Sequence, residues 1–135
     1  MSTLPMINDV DADETTAELF ADIREARQTE YVNHFWRTLA NDPSLATETW
    51  KRLQEVMGPG ALDPLVKELI YMAVSIANGC EYCIHSHTAS ARKRGMTAEM
   101  YGEFLSVVSM ASQTNALANS MQVPLDECFL NSDEG

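Results

Sequence analysis

The sequence predicts an all-α protein. No stretch of its 135 residues alternates polar and apolar side chains for long enough to indicate a β-strand. Several segments instead space their apolar residues for one helix face, and proline, glycine and asparagine separate them into about six to seven helices. The length suits one domain with one core, so we expect a single domain over residues 1–135. Residues 1–12 and 130–135 are expected to be loose ends.

Three helices are predicted in the first half of the chain. The first begins after Asp13, the second runs from about Thr29 to Ala40, and the third runs from Pro43 to Met57, where a Gly-Pro-Gly sequence follows. The residues expected on the inner faces are Leu19, Phe20, Ile23 and Ala26 in the first helix, and Leu45, Thr49, Leu53 and Val56 in the third.

The second half opens with a strong helix start. Asp63 and Pro64 combine an N-cap with a first-turn proline, and the segment 64–77 that follows has only four polar side chains. This helix should therefore lie inside the protein or inside an oligomer. Asn78-Gly79 ends it, and the next helix begins at Cys80 and ends in the basic run 92–94, to which we assign no partner. Two further helices are predicted, from Thr97 to about Met110 and from about Gln113 to Met121.

Composition excludes several classes of function. Nine Lys and Arg residues against twenty Asp and Glu give a formal net charge of -11, which repels nucleic acid and anionic lipid, so we expect neither partner. No apolar run approaches the roughly 20 residues of a membrane span, and the N-terminus lacks a secretory signal, so a cytoplasmic location is expected. Three cysteines in such a chain argue against a disulfide framework and favour metal or redox chemistry.

The candidate chemistry is concentrated in the segment NGCEYCIHSH at residues 78–87. Successive helical residues turn by about 100°, so Cys80, Cys83 and His87 share one wall of their helix, whereas His85 points elsewhere. The first turn of a helix favours a negative sulfur, and we therefore expect lowered pKa values for both thiols. The spacing of the two cysteines also brings their sulfurs within reach of a disulfide.

A proton relay is predicted beside the thiols. His87 can accept a thiol proton if an acid supports its basicity, and Glu68 is the expected acid because a carboxylate on so apolar a helix needs a partner. The same four side chains could instead bind zinc, although the distant second ligand pair of structural zinc domains is missing. Redox chemistry is the first interpretation, with a zinc-binding structural module and a non-catalytic redox sensor as the alternatives.

The motif also resembles a known family. Glu68, eleven residues, Cys80-x-x-Cys83, three residues and His87, with Asn-Gly before the first cysteine, resemble the signature of alkylhydroperoxidase D (AhpD)-like proteins in the carboxymuconolactone decarboxylase superfamily. The resemblance is specific over residues 62–95. It implies an AhpD-like helical bundle and a thiol peroxidase for organic hydroperoxides or hydrogen peroxide, with catalytic residues Glu68, Cys80, Cys83 and His87. In that scheme Glu68 and His87 relay a proton to and from Cys83, and Cys80 completes the disulfide.

The resemblance carries further expectations. It implies a dithiol or protein reductant and a homotrimer or homohexamer, and we expect no metal or other cofactor. Tyr82 stands before the second cysteine, where the best-studied branch has histidine, and is similar to the broader peroxidase-related branch. The decarboxylase branch lacks the cysteine pair, so lactone chemistry is not expected.

Overall fold

The computed structural model describes residues 1–130, and these form seven α-helices, one short 3-10 helix and no β-strand. The all-α prediction is confirmed. Within this part of the chain, no helix combines the length and apolar character needed to cross a membrane. The chain divides into two compact units, Met1–Gly58 and Pro59–Gly135. The single domain over residues 1–135 stays a prediction, and residues 131–135 of the expected loose tail lie outside the described residues.

The first unit contains α1 (Glu14–Arg27), α2 (His34–Leu39) and α3 (Pro43–Met57). The side chain of Asp13 accepts the N–H of Thr16 at the start of α1. Asp42 does the same for Leu45 at the start of α3, whose first residue is proline. Acceptor side chains satisfy N–H groups that have no partner within a helix, which is why both helices begin where the sequence predicts.

The second helix is shorter than predicted, because it begins at His34 and not near Thr29. Gln28 adopts a left-handed conformation (φ 49°), and the N–H of Thr29 turns back to the carbonyl of Arg24, so the chain leaves the helical path. The hydroxyl of Thr29 then accepts the N–H of Tyr31, a local bond that competes with helix formation.

The core of the first unit centres on two tryptophans, Trp36 and Trp50, packed edge to face with ring centroids 5.2 Å apart. The predicted inner face of α3 is wrong for Leu45 and Val56, which are nearly half exposed. Leu53 of that face does pack against the core, in which Ala46 and Trp50 are buried. Burying an indole removes more apolar surface from water than burying a leucine, so Trp50 sets the rotation of α3. The buried apolar residues are Leu19, Phe20, Ile23, Val32, Trp36, Ala40, Ala46 and Trp50, while Ala26 of the predicted set is exposed.

The N-terminal segment, which the sequence predicts to be loose over residues 1–12, makes specific contacts. It contains the 3-10 helix Asp9–Asp11. The carboxylate of Asp9 pairs with Arg24 at 2.7 Å and with Arg37 at 3.1 Å. Arg37 also donates to the carbonyl of Ile7 at 3.0 Å, so residues 7 to 9 are tied to α1 and α2.

The second unit contains α4 (Pro64–Ala77), α5 (Glu81–Lys93), α6 (Ala98–Met121) and α7 (Glu127–Leu130). Asp63 caps α4 as predicted, and Gly79 (φ 67°) supplies the left-handed turn before α5. α6 is one continuous helix of 24 residues, not the predicted two. No glycine or proline lies between Met110 and Gln113, and the Thr114 hydroxyl bonds back to carbonyls of the preceding turn without breaking the helix.

The second unit buries little apolar surface of its own. Its core consists of Met72, Ala91 and Met96, against which Leu65, Leu69, Tyr101 and Phe104 pack. α4 therefore has an inner side as predicted, but its opposite side is exposed, and α6 buries no residue fully. The exposed apolar residues of these two helices form what we call the α4–α6 apolar surface: Val66, Ile70, Val74, Met100, Leu105, Val107, Met110, Leu117 and Met121.

Candidate active site

The two cysteines stand at the beginning of α5. Cys80 is its N-cap residue, and its sulfur accepts the backbone N–H of Cys83 at 3.4 Å. Both thiols are free and partly buried. The closeness predicted from their spacing is confirmed. Because the sulfur of Cys80 occupies the N-cap, it lies where unpaired N–H groups of a helix favour negative charge.

Glu68 on α4 reaches across to His87 on α5. Its Oε2 lies 2.7 Å from Nδ1 of His87, and Glu68 is only 4% exposed. An ionised carboxylate only accepts hydrogen bonds, so Nδ1 is the donor in this contact, and in the neutral imidazole Nε2 then presents a lone pair. The sequence predicts this contact. It orients the imidazole so that Nε2 can accept a proton, as a general base must.

The second oxygen of the same carboxylate has a partner that the sequence analysis did not assign. Nε of Arg94, at the end of α5, lies 3.3 Å from Oε1 of Glu68. The basic run 92–94, to which the sequence assigns no binding partner, thus contributes Arg94 to the site within the same chain. A signal was available, because Arg94 follows His87 by seven residues and so lies on the same wall of the helix. With both oxygens engaged, the buried charge of Glu68 is compensated.

Tyr71 is a second residue of the site that sequence reasoning missed. Its ring stacks on the imidazole of His87, with centroids 3.6 Å apart and planes 18° from parallel. Burial raises the pKa of Tyr71 above its usual value, and charges on Cys83, Cys80 and Glu68 raise it further. Tyr71 therefore lies close to the thiols as well as to His87. It follows Glu68 by three residues, the spacing of one helix face.

The expectation of a lowered thiol pKa is wrong for Cys83. Burial raises the pKa of this thiol to about 11, and the neighbouring sulfur of Cys80 adds to the shift through a hydrogen bond and its charge. The loss of hydration, which disfavours a thiolate, outweighs the helix N-terminus at this position. At neutral pH the Cys83 thiol is therefore protonated, and its use as a nucleophile requires a base.

The remaining candidates lie apart from this cluster. His85 is exposed, as expected for a residue on another face of α5, and Cys128 is exposed on α7. Across residues 1–130, no three His, Cys, Asp or Glu side chains converge as ligands for a metal ion. The four-ligand set of the zinc interpretation is thus not assembled, since Glu68 is directed to His87 and Arg94.

A helical fold with Glu68 and His87 paired beside a Cys-x-x-Cys turn defines the AhpD-like class of thiol proteins. The chain belongs to the carboxymuconolactone decarboxylase family, whose family model matches residues 44–126. The predicted membership of the AhpD-like proteins in this superfamily is confirmed. It rests on the family match, on relatives named AhpD and on a solved AhpD structure.

That solved structure is similar to the chain over nearly its whole length. It is the crystal structure of an alkylhydroperoxidase AhpD core from Rhodospirillum rubrum, with a TM-score of 0.92 and 49% sequence identity, covering 96% of this chain and 98% of that one. The AhpD-like fold predicted from the sequence is therefore confirmed.

Two curated relatives are more distant. An uncharacterized protein in the cox locus of Paracoccus denitrificans is 38% identical over 74 residues, 53% of this chain and 67% of that protein. An alkyl hydroperoxide reductase AhpD of Solibacter usitatus is 30% identical over 91 residues, 67% of this chain. The aligned part of the chain spans only 50% of the Solibacter protein.

Proposed function

We propose that this protein is a thiol-dependent peroxidase that reduces organic hydroperoxides or hydrogen peroxide, with Cys80 and Cys83 cycling between dithiol and disulfide. The observation that carries the proposal is the 2.7 Å bond from Glu68 to Nδ1 of His87, on the helix that begins with the cysteine pair. AhpD-named relatives support the same reaction class. The proposal extends to a cytoplasmic location and to a dithiol, small or protein-borne, as the reductant.

The first half-reaction needs a base because the pKa of the Cys83 thiol is raised. Nε2 of His87 takes the thiol proton while the sulfur attacks one peroxide oxygen. The S–O bond forms as the O–O bond breaks, and the leaving oxygen takes the proton from the His87 imidazolium and departs as alcohol, or as water from hydrogen peroxide. The sulfur is oxidised to a sulfenic acid, and Glu68 stabilises the transient imidazolium of His87.

The second half-reaction uses the neighbouring sulfur. Cys80, whose sulfur already contacts the amide of Cys83, attacks the sulfenic sulfur. The S–S bond forms, the S–O bond breaks, and the hydroxide leaves as water with the proton of the Cys80 thiol. Two thiol–disulfide exchanges with the dithiol reductant then restore both thiols and leave the reductant oxidised.

Trapping the sulfenic acid tests both the reaction and the order of the cysteines. We expect tert-butyl hydroperoxide to remove two hydrogens from the peptide that contains both cysteines, and dithiothreitol to support repeated turnover. In Cys80→Ser, dimedone should label Cys83, whereas Cys83→Ser should give no label. Cys128→Ser is the matched control and should keep the wild-type rate, because Cys128 lies on α7, outside the site.

Each contrary result has a defined meaning. Label on Cys80 in Cys83→Ser, with none on Cys83 in Cys80→Ser, would reverse the order of the cysteines. Oxidation that dithiothreitol does not convert into turnover would indicate the redox sensor. Stoichiometric zinc in the purified protein, with no disulfide after peroxide, would indicate the structural metal site.

A further inference from the structure

We propose that Tyr71 is a positioning residue for the His87 imidazole, and that it acts through its stacked ring and not through its hydroxyl. The inference rests on the proposed peroxidase function, since the imidazole matters there as the base for Cys83. It assigns a role to a residue that the sequence motif does not contain.

Two contacts orient the imidazole of His87. A single hydrogen bond at Nδ1 fixes the position of one atom of the imidazole, but the ring can still rotate about that bond. The Tyr71 ring lies parallel to the imidazole within 18°, at a centroid distance of 3.6 Å. A contact over a whole face restricts the plane of the ring, so Glu68 and Tyr71 together define both the position and the plane. The direction of Nε2 is fixed as a result.

Both groups that contact the imidazole are carried by helix α4. Tyr71 and Glu68 are three residues apart on α4, so both side chains leave the same face of one helix. His87 is only 15% exposed at its side chain, and its two contacts come from this single rigid element. Groups held by one helix keep their mutual geometry better than groups held by loops.

The contact with His87 is made by the ring of Tyr71. Burial keeps the pKa of Tyr71 above its usual value, so the phenol is neutral at physiological pH and is not itself a base for a thiol. The ring remains the part of the side chain for which the structure shows a defined contact in the site. Phenylalanine should therefore replace tyrosine here, whereas leucine, which lacks a ring, should not.

The experiment compares Tyr71→Phe with Tyr71→Leu in the full chain carrying Cys80→Ser, in which Cys83 is the thiol that is followed. Iodoacetamide alkylation of Cys83 at pH 7, measured by mass spectrometry, reports thiol activation without any peroxide. We expect Tyr71→Phe to keep the parent rate and Tyr71→Leu to lose about tenfold, as the orientation of the base is lost.

A spectroscopic readout accompanies the rates. The ring current of a stacked phenol shifts the His87 ring proton resonances upfield, and we expect that shift in the parent and in Tyr71→Phe but not in Tyr71→Leu, with His87→Ala supplying the assignment. An equal loss of alkylation rate in Tyr71→Phe and Tyr71→Leu would show that the hydroxyl acts. The parent rate in both variants would show that Tyr71 does not position His87. Absence of the upfield shift in the parent protein would overturn the inference without any Tyr71 variant.

Failure of the proposed function gives a different pattern. A protein that shows the upfield shift and the Tyr71→Leu loss in alkylation, yet never turns over tert-butyl hydroperoxide, would retain the positioning role of Tyr71 and exclude the peroxidase. The two proposals are therefore tested separately.

Discussion

Glu68 has an environment that few carboxylates share, because it is only 4% exposed. Burying an ionised group costs several kcal/mol unless partners compensate it. His87 and Arg94 supply that compensation, one to each oxygen. The contact with His87 that helps to compensate the buried charge of Glu68 thus also sets the tautomer of His87.

Replacing this carboxylate by an amide tests the relay. In Glu68→Gln the amide can still hydrogen-bond Nδ1 of His87, but it cannot stabilise an imidazolium, so we expect the rate of thiol oxidation by hydrogen peroxide to fall by about 100-fold or more. Stopped-flow kinetics measure the rate, and circular dichroism checks that the helices are kept. His85→Ala is the control and should react like the wild type, because His85 is exposed on another face. A wild-type rate in Glu68→Gln would remove the carboxylate from the mechanism.

At this scale the sequence predicted the motif but not its surroundings. The Glu68–His87 contact could be predicted because Glu68 is the one acid of an apolar helix and needs a polar partner when that helix is buried. The rise in the pKa of Cys83 could not be predicted, because it depends on how much hydration the thiol loses in the folded chain. The position at a helix N-terminus, taken alone, predicts a lowered pKa. Tyr71 and Arg94 were missed for a different reason. Helical periodicity predicts that each shares a helix face with a motif residue, but which side chains it then contacts depends on how α4 packs against α5.

Among the elements, α6 differs most from its prediction, because apolar periodicity weakens around Ser112 without any residue that ends a helix. α3, by contrast, begins and ends as predicted, since Asp42-Pro43 and Gly58 are local signals. The predicted rotation of α3 about its axis was wrong. Burial of Trp50 stabilises the fold more than burial of Leu45 and Val56, but only because α1 and α2 provide a core for the indole. The ends of a helix are thus determined by residues next to it in sequence, whereas the face that it buries is determined by partners distant in sequence.

The continuity of α6 can be tested with proline. Ala111 lies in the middle of the helix, so Ala111→Pro removes a hydrogen bond and should destabilise the protein by about 3 kcal/mol. Ala98→Pro is the matched control: Ala98 is the first residue of α6 and Thr97 before it is extended, so proline should be tolerated there. Urea unfolding measures both. Equal stability of the two variants would indicate a break near Ala111.

For the whole protein, the relevant feature is the α4–α6 apolar surface. Val74 is 54% exposed and Val107 is 63% exposed, on helices that carry several further apolar residues. Exposed apolar residues in this number on two helices indicate an interaction site, and covering them with other copies of the chain fits the predicted homotrimer or homohexamer. The net charge of -11 means that such an assembly brings like charges together, so its stability should rise with salt.

Charge substitutions test the assembly. We expect light scattering of the wild type at micromolar concentration to give three or six times the mass of one chain. Val74→Glu and Val107→Glu should each lower that mass, because a carboxylate buried at an interface lacks a partner. Val10→Glu, the same change at an exposed position in the N-terminal segment, should leave the mass unchanged. A monomeric wild type, or wild-type mass in both surface variants, would contradict the prediction.

The carboxylate of Glu68 also has a mechanical consequence. Its oxygens attach to His87 and Arg94, which are two helical turns and about 10 Å apart along α5. Leucine and methionine contacts tolerate a small slide of one helix along another, whereas directional hydrogen bonds at two points resist such a slide. The acid of the candidate relay therefore also helps to set the register of α4 against α5, and a sequence change that moves these helices past one another strains the bond between the base and its carboxylate.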